Sequence, residues 1–209
     1  KIYAETCPQY LFLKKDDLNK DDFEGAKYIC SPPPRDPENQ KYVWRGIQNG
    51  TFDVLSSDHA PFNFDDNKGK MLKGKKTPFK HIPNGVPGIE TRLTLLLSEG
   101  VMKKKISINK FVEVTSTNPA KIFGLYPKKG TIAIGSDADI VIWDTDIDST
   151  ITNNELHHDT DYTPYEGIKV TCCPNIVINR GSIVVEDGKL KGKKGNGKFL
   201  KSDISNYVY

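Results

Sequence analysis

The feature that most constrains this chain is an alternation over roughly its first 125 residues: short apolar runs that end on polar or proline residues, each followed by a helix-patterned segment. Parallel strands need long crossover connections, usually helical, so the alternation points to an α/β fold with a parallel sheet. Ala26-Lys27-Tyr28-Ile29-Cys30 reads as a buried strand stopped by Ser31 and the run Pro32-Pro33-Pro34, because proline cannot donate to a ladder. A helix is predicted next, with Asp36 as N-cap, Pro37 at its first position, Val43, Trp44 and Ile47 on one face and Gly50 closing it. Thr51-Phe52-Asp53-Val54-Leu55 is then a second strand, ending in Ser56-Ser57-Asp58-His59.

Residues 60–87 form a long polar connection, a length that marks a lid or a disordered segment, and its lysines from Lys68 to Lys80 read as solvated, like those of 189–201. Ile89, Leu93, Leu96, Leu97 and Val101 then recur on one helical face, with Lys103 to Lys105 where the helix dipole favours cations. Two shorter helices are predicted at about 107–115 and 119–123, the second capped by Asn118, begun by Pro119 and ended by Gly124. From Gly130 the pattern becomes β-rich: Thr131–Gly135 and Ile140–Asp144 around a polar turn, then a hairpin of Ile176–Ile178 and Ile183–Val185 around Asn179-Arg180-Gly181. The expected division is 1–129, a β domain over 130–188, and a tail over 189–209 that is either solvated or an arm on another subunit through Phe199, Leu200, Tyr207 and Tyr209.

A net charge of +3 over 209 residues is too weak and too spread to indicate a nucleic-acid partner. No apolar run approaches the ~18 residues of a membrane span, and no cleavable leader pattern is present, so a soluble chain without a membrane partner is expected. Cys7, Cys30, Cys172 and Cys173 contain no C-x-x-C pair, and adjacent cysteines bridge poorly, which fits a reducing, cytoplasmic setting. The histidines, His59, His81, His157 and His158, contain no His-x-His or His-x-x-x-His, so no complete metal site is legible.

Asp58 is the most informative residue. Loops at the carboxyl ends of parallel strands build active sites, and an ionised carboxylate there can bind a metal or move a proton. Alternatively it caps a turn or pairs with a lysine. Ser31, at the other expected strand end, offers main-chain groups to a polar ligand or only terminates the strand. Asn84, in Ile82-Pro83-Asn84-Gly85, is tight-turn chemistry whose carbonyl can face a ligand. His59 follows Asp58 and points to the opposite face if the strand persists. His157 and His158 share that geometry and read as surface residues.

Six motifs, in order, carry a resemblance: Glu5-Thr-Cys-Pro-Gln-Tyr10, Cys30-Ser-Pro-Pro-Pro-Arg35, Ser56-Ser-Asp-His59, Ile82-Pro-Asn-Gly85, Thr115-Ser-Thr-Asn-Pro-Ala-Lys-Ile-Phe-Gly-Leu125 and Lys129–Asp144. Together they resemble the carboxyl-terminal part of the dihydropyrimidinase and hydantoinase branch of the amidohydrolase superfamily, eukaryotic members most. The resemblance implies the last strand–helix units of a (β/α)₈ TIM-type barrel over 1–129, strands of a small β-sandwich domain over 130–188, and a tail. It implies two zinc ions bridged by a carboxylated lysine outside this chain, and hydrolytic ring opening of 5,6-dihydrouracil or dihydrothymine to the N-carbamoyl-β-amino acid, a step of pyrimidine catabolism. In that family a metal-bridging hydroxide attacks the amide carbonyl. The residue matching Asp58 binds one zinc and accepts, then delivers, the proton, while those matching Ser31 and Asn84 contact the cyclic amide through their main chains. Zinc suits this chemistry because it lowers the pKa of bound water to about 7 and polarises the carbonyl.

The family's His-x-His, carboxylated lysine, later metal histidines and oxyanion tyrosine lie upstream of the matched segment. A catalytic zinc takes three protein ligands, and a barrel of this class takes ~250 residues, so the chain is expected to be part of a longer polypeptide and inactive alone. A hydantoinase or allantoinase is the nearest alternative, since the loops that choose the ring lie mostly elsewhere. Collapsin response mediator proteins keep this fold as non-catalytic adaptors, but they lack the metal-binding aspartate and vary the Pro-Asn-Gly turn, whereas Asp58 and Asn84 are present. A free-standing interaction module would leave buried-type strand edges open. The resemblance also implies a homotetramer with the tail as its arm.

Overall fold

The structure, a computed structural model, describes residues 2–205, so Tyr207 and Tyr209 lie outside the described residues. Strand β1 (Glu5–Thr6) lies parallel to β2 (Val54–Leu55), and the crossover between them passes through α1 (Gln9–Phe12) and α2 (Gln40–Gln48). The strand before the crossover is therefore Glu5–Thr6, not Ala26–Cys30. A 3₁₀ turn occupies Glu24–Tyr28, and Ile29 accepts a single bond from the Gly85 N–H at 3.0 Å. Gly25 sits so close to the Leu18 carbonyl that a Cβ would come within 2.2 Å of it, and Ala26 packs in a small core with Phe64 and Tyr162. The run is apolar because it fills that core.

Helix α2 starts through a 3₁₀ turn at Pro37–Asn39 and buries Trp44 and Ile47, as its spacing predicts. Asp36 holds the N-cap position, yet its carboxylate pairs with Lys15 and caps nothing. Helix α3 (Thr91–Leu96) continues into a wider coil over Leu97–Met102 and buries Leu95, Leu96 and Leu97. Ile89 leaves the expected face: it precedes the helix and is exposed. The two short helices are one continuous run, α4 (Ile108–Val112), a widened stretch Glu113–Thr117 and α5 (Asn118–Ile122). The widening precedes Pro119, which has no N–H with which to close a regular turn. Asn118 is thus no cap; it is buried and donates from Nδ2 to the Asp53 carbonyl at 2.9 Å, tying this helix to the approach of β2.

Leu11, Trp44, Ile47, Leu55, Leu96 and Phe111 share the main core, each such side chain contributing about 1.5–3 kcal/mol by burial. Cys172 joins this core, and Ile151, Tyr165 and Val170 pack with Leu13 and Leu95 in a second. Strand β3 (Leu72–Lys75) lies in the long connection, and strands β5 (Ser149–Thr150) and β6 (Lys169–Val170) pair antiparallel. Strands β4 (Ile140–Asp144), β7 (Cys173–Asn179), β8 (Ser182–Glu186) and β9 (Lys189–Leu190) form an antiparallel sheet in the order β4-β7-β8-β9. The β7–β8 hairpin turns on Arg180 (φ 46°) and Gly181 (φ 79°), the double positive φ of a two-residue hairpin loop. Thr131–Gly135 is not a strand; no described segment pairs with it, and Ile132 and Ile134 are exposed. Among the described residues no helix is long and apolar enough to cross a membrane.

Candidate functional site

Three backbone stretches meet beyond the carboxyl end of β2. Ser56 N–H donates to the Thr6 carbonyl (3.0 Å), His59 bridges Val86 in parallel, Ala60 N–H donates to the Val86 carbonyl (3.0 Å), and Gly85 N–H reaches the Ile29 carbonyl (3.0 Å). Asp58 precedes His59, Asn84 precedes Gly85 and Ser31 lies just past Ile29, so all three expected site residues sit on adjoining segments and all are exposed. Ser31 and Asn84 touch: Asn84 Nδ2 donates to Ser31 Oγ at 2.5 Å, across 53 residues of sequence. Asp58, three residues past the end of β2, adopts φ 45°, a left-handed conformation that aspartate tolerates better than most residues. His59 is taken up elsewhere, since its Nδ1 accepts from the N–H groups of Gly88 (3.1 Å) and Ile89 (3.4 Å). Asp58 and His59 therefore divide the labour, one open to solvent and one holding the far end of the Asn84 turn.

Beneath this surface lie groups kept neutral. Burial pushes the Cys30 thiol up to about 11, against the opposing pull of Lys70. Burial also raises the Cys7 thiol, opposed by its 3.1 Å hydrogen bond to Ser56 Oγ. Burial raises the Tyr10 phenol as well. Neither thiol is a nucleophile at neutral pH. The Arg92 guanidinium, lowered by burial, donates to the Leu55 carbonyl at 3.3 Å and so ties the end of β2 to α3.

The long connection is neither a free lid nor disordered. Its root is anchored by Asp161, whose carboxylate oxygens accept from the N–H groups of Phe64 (2.6 Å) and Asp65 (2.8 Å), and Phe64 stacks edge-on against Tyr162 at 6.1 Å. Lys70, expected to be solvated, is fully buried: its ammonium donates to the carbonyls of Pro83 and Gly85, each at 3.0 Å. Sequence reasoning missed Lys70, Arg92 and Asp161. A signal existed for Lys70 alone, in the apolar Met71 and Leu72 beside it, but the surrounding lysines hide it.

His157 is exposed and bonded to Glu90 (Nδ1 to Oε1, 2.8 Å), and His158 bonds Asn153 Oδ1 at 3.0 Å, so both serve as partners of loop residues. Among the described residues no three His, Cys, Asp or Glu side chains gather to hold a metal ion. Asp58 fits a single oxygen ligand, and Nδ1 of the adjacent His59 is turned to backbone. This segment can thus contribute one ligand to a metal centre and does not by itself make one.

Residues 35–184 match the model of the amidohydrolase family. The chain is 44% identical over 198 residues to a D-hydantoinase of Rhizobium radiobacter, covering 95% of this chain and 42% of that protein. It is 47% identical over 200 residues to a D-hydantoinase of Geobacillus stearothermophilus, covering 96% and 42%. The crystal structure of dihydropyrimidinase from Brevibacillus agri NCHU1002 superposes with a TM-score of 0.90 at 48% identity, over 96% of this chain and 42% of that one. The chain spans about two fifths of the length of the curated relatives it matches.

Proposed function

Since the chain belongs to the amidohydrolase family and forms part of an α/β barrel of that family, we propose that the complete polypeptide hydrolyses a cyclic amide, opening 5,6-dihydrouracil or dihydrothymine to the N-carbamoyl-β-amino acid. The observation that carries this reading is the convergence of Asp58, Ser31 and Asn84 at one strand end, with Asn84 bonded to Ser31 at 2.5 Å. A cyclic amide presents one N–H and one carbonyl edge to edge, and the adjoining, exposed main chains of Ser31 and Asn84 suit that edge. The Asn84–Ser31 bond orients both turns before the ring arrives.

Asp58 is proposed to hold the proton that the reaction moves, at a carboxylate oxygen, and would contribute a ligand to a centre of two zinc ions whose other ligands, a carboxylated lysine among them, lie outside this chain. Bound zinc would supply Lewis-acid polarisation of the ring carbonyl and an activated water. The remaining proposals are a homotetramer, a cytoplasmic setting, and inactivity of these 209 residues on their own. The names of the D-hydantoinase relatives favour a second reading, in which the ring is a 5-substituted hydantoin. Both rings should be offered to the complete polypeptide and the carbamoyl product measured. Asp58→Ala is expected to lower turnover about 10²–10⁴-fold, the range of a lost acid–base group, with an unchanged circular dichroism spectrum. Near-normal turnover in that variant, or turnover by the 209-residue chain with added zinc, would overturn the assignment.

A further inference from the structure

Lys70 lies in a lysine-rich segment but behaves unlike its neighbours. Lys68, Lys73, Lys75 and Lys76 are exposed, whereas Lys70 is wholly buried. Burying an ammonium is costly unless each donor finds an acceptor, and long cationic side chains ordinarily reach for water. Here the Nζ is spent on main chain, donating to the Pro83 and Gly85 carbonyls at 3.0 Å each. Those carbonyls flank Asn84. The segment that carries Lys70 is itself fixed from below, because Lys70 N–H donates to the Asn63 carbonyl (2.8 Å) and Met71 N–H to the Phe64 carbonyl (3.2 Å), next to the Asp161 anchor.

We infer that Lys70 is a positioning residue for the Asn84 turn: its ammonium clamps the two carbonyls on either side of Asn84 and so sets where the Asn84 main chain meets a ring. The turn has other attachments, Asn84 Nδ2 to Ser31 Oγ at its tip and, on its Gly85 side, Gly85 N–H to Ile29 and Val86 to His59. Lys70 is the attachment that reaches across to Pro83. Gly85 adopts φ 127°, a conformation strained for other residues, and a Cβ there would meet the Ala60 Cβ at 2.4 Å, so the turn has little room to shift. The titratable group that faces Lys70 is the Cys30 thiol, protonated at neutral pH and therefore no competing counter-ion.

This inference rests on the proposed role of Asn84 in ring binding, and its test separates the two. In the complete polypeptide, Lys70→Met should raise the KM for 5,6-dihydrouracil at least tenfold while kcat stays within threefold. Hydrogen exchange at the Gly85 and Val86 amides should accelerate at least tenfold relative to Leu95 and Leu96 in the core. Accelerated exchange with an unchanged KM would overturn the positioning role while leaving the clamp, and unchanged exchange would overturn the clamp itself. If the parent polypeptide opens no ring, the cyclic-amidase reading fails separately and the exchange result alone decides whether Lys70 holds the turn. Should Lys70→Met not fold, carbon-13 titration of the Lys70 Cε in the parent protein replaces it: the Gly85 amide must titrate in step with Lys70, and independent titration overturns the inference.

Discussion

The burial of the Lys70 ammonium has a thermodynamic signature that pH reads directly. Folding takes this group from 10.5 to about 8, chiefly through burial, with neighbouring Cys30 opposing. Between those values the unfolded chain carries the proton and the folded chain does not, so stability rises as pH climbs through the window from 8 to 10.5. Below pH 8 the whole cost is present, and above 10.5 it is gone. The size is about 3 kcal/mol, with a steepest slope of about 1.4 kcal/mol per pH unit. Cys30 acts with the opposite sign, since its thiol rises from 9.0 to about 11 and its stabilising effect fades as pH passes through that range. Subtracting the Lys70→Met curve from the parent curve cancels the groups that do not sense Lys70, while Cys30, relieved of the lysine's pull, rises further in the variant. Methionine also leaves the Pro83 and Gly85 carbonyls without their donor, at about 1–3 kcal/mol each. The loss of the burial cost offsets much of that at neutral pH. Urea unfolding followed by Trp44 fluorescence should therefore show comparable stabilities at pH 7 and a parent protein that gains steadily on the variant from pH 8 upward. A difference curve flat to within about 0.5 kcal/mol, near the resolution of such extrapolations, would refute the reasoning.

The Asp161 anchor predicts that Asp161→Asn, which keeps one acceptor but turns an amide N–H₂ toward the second donor, destabilises by about 1.5–3 kcal/mol and speeds exchange in residues 62–72. An unchanged urea midpoint would remove Asp161 as the anchor. Truncation after Leu190 removes a tail that folds back on the end of α5, through Asp203 N–H to the Gly124 carbonyl (3.0 Å) and Ser205 Oγ to the Lys121 carbonyl (2.8 Å). If the tail is also the oligomer arm, sedimentation should show a smaller assembly; an unchanged mass would leave it as a cap on its own helix.

Helix faces were the most legible part of this fold, because Trp44, Ile47, Leu96 and Leu97 bury where a 3.6-residue period puts them. The hairpin of β7 and β8 was equally plain from Asn179-Arg180-Gly181, whose turn chemistry is local. Strands were not, for a physical reason. Glu5–Thr6 and Val54–Leu55 are two residues each, too short for any periodicity to show, while Ala26–Cys30 is apolar for the sake of a satellite core. The three expected site residues fall together, but the supports beneath them do not announce themselves. Asp161 acts 97 residues from Phe64, and Lys70 is chemically identical to the solvated lysines around it. Only the folded environment distinguishes it.

The long connection has firm roots and a loose crown. Thr77 Oγ1 closes the small turn at its tip, accepting from Lys73 N–H (2.7 Å) and donating to the Gly74 carbonyl (2.7 Å), while Leu72–Lys75 are exposed and Gly74 faces open space. Lengthening a surface loop raises its closure entropy only logarithmically, and exposed tips are where inserted sequence is tolerated. The stretch around Gly74 is thus a natural grafting point: a reporter peptide or an affinity tag placed there would travel with the crown and leave the Asn84 turn, fixed by its roots, where it stands.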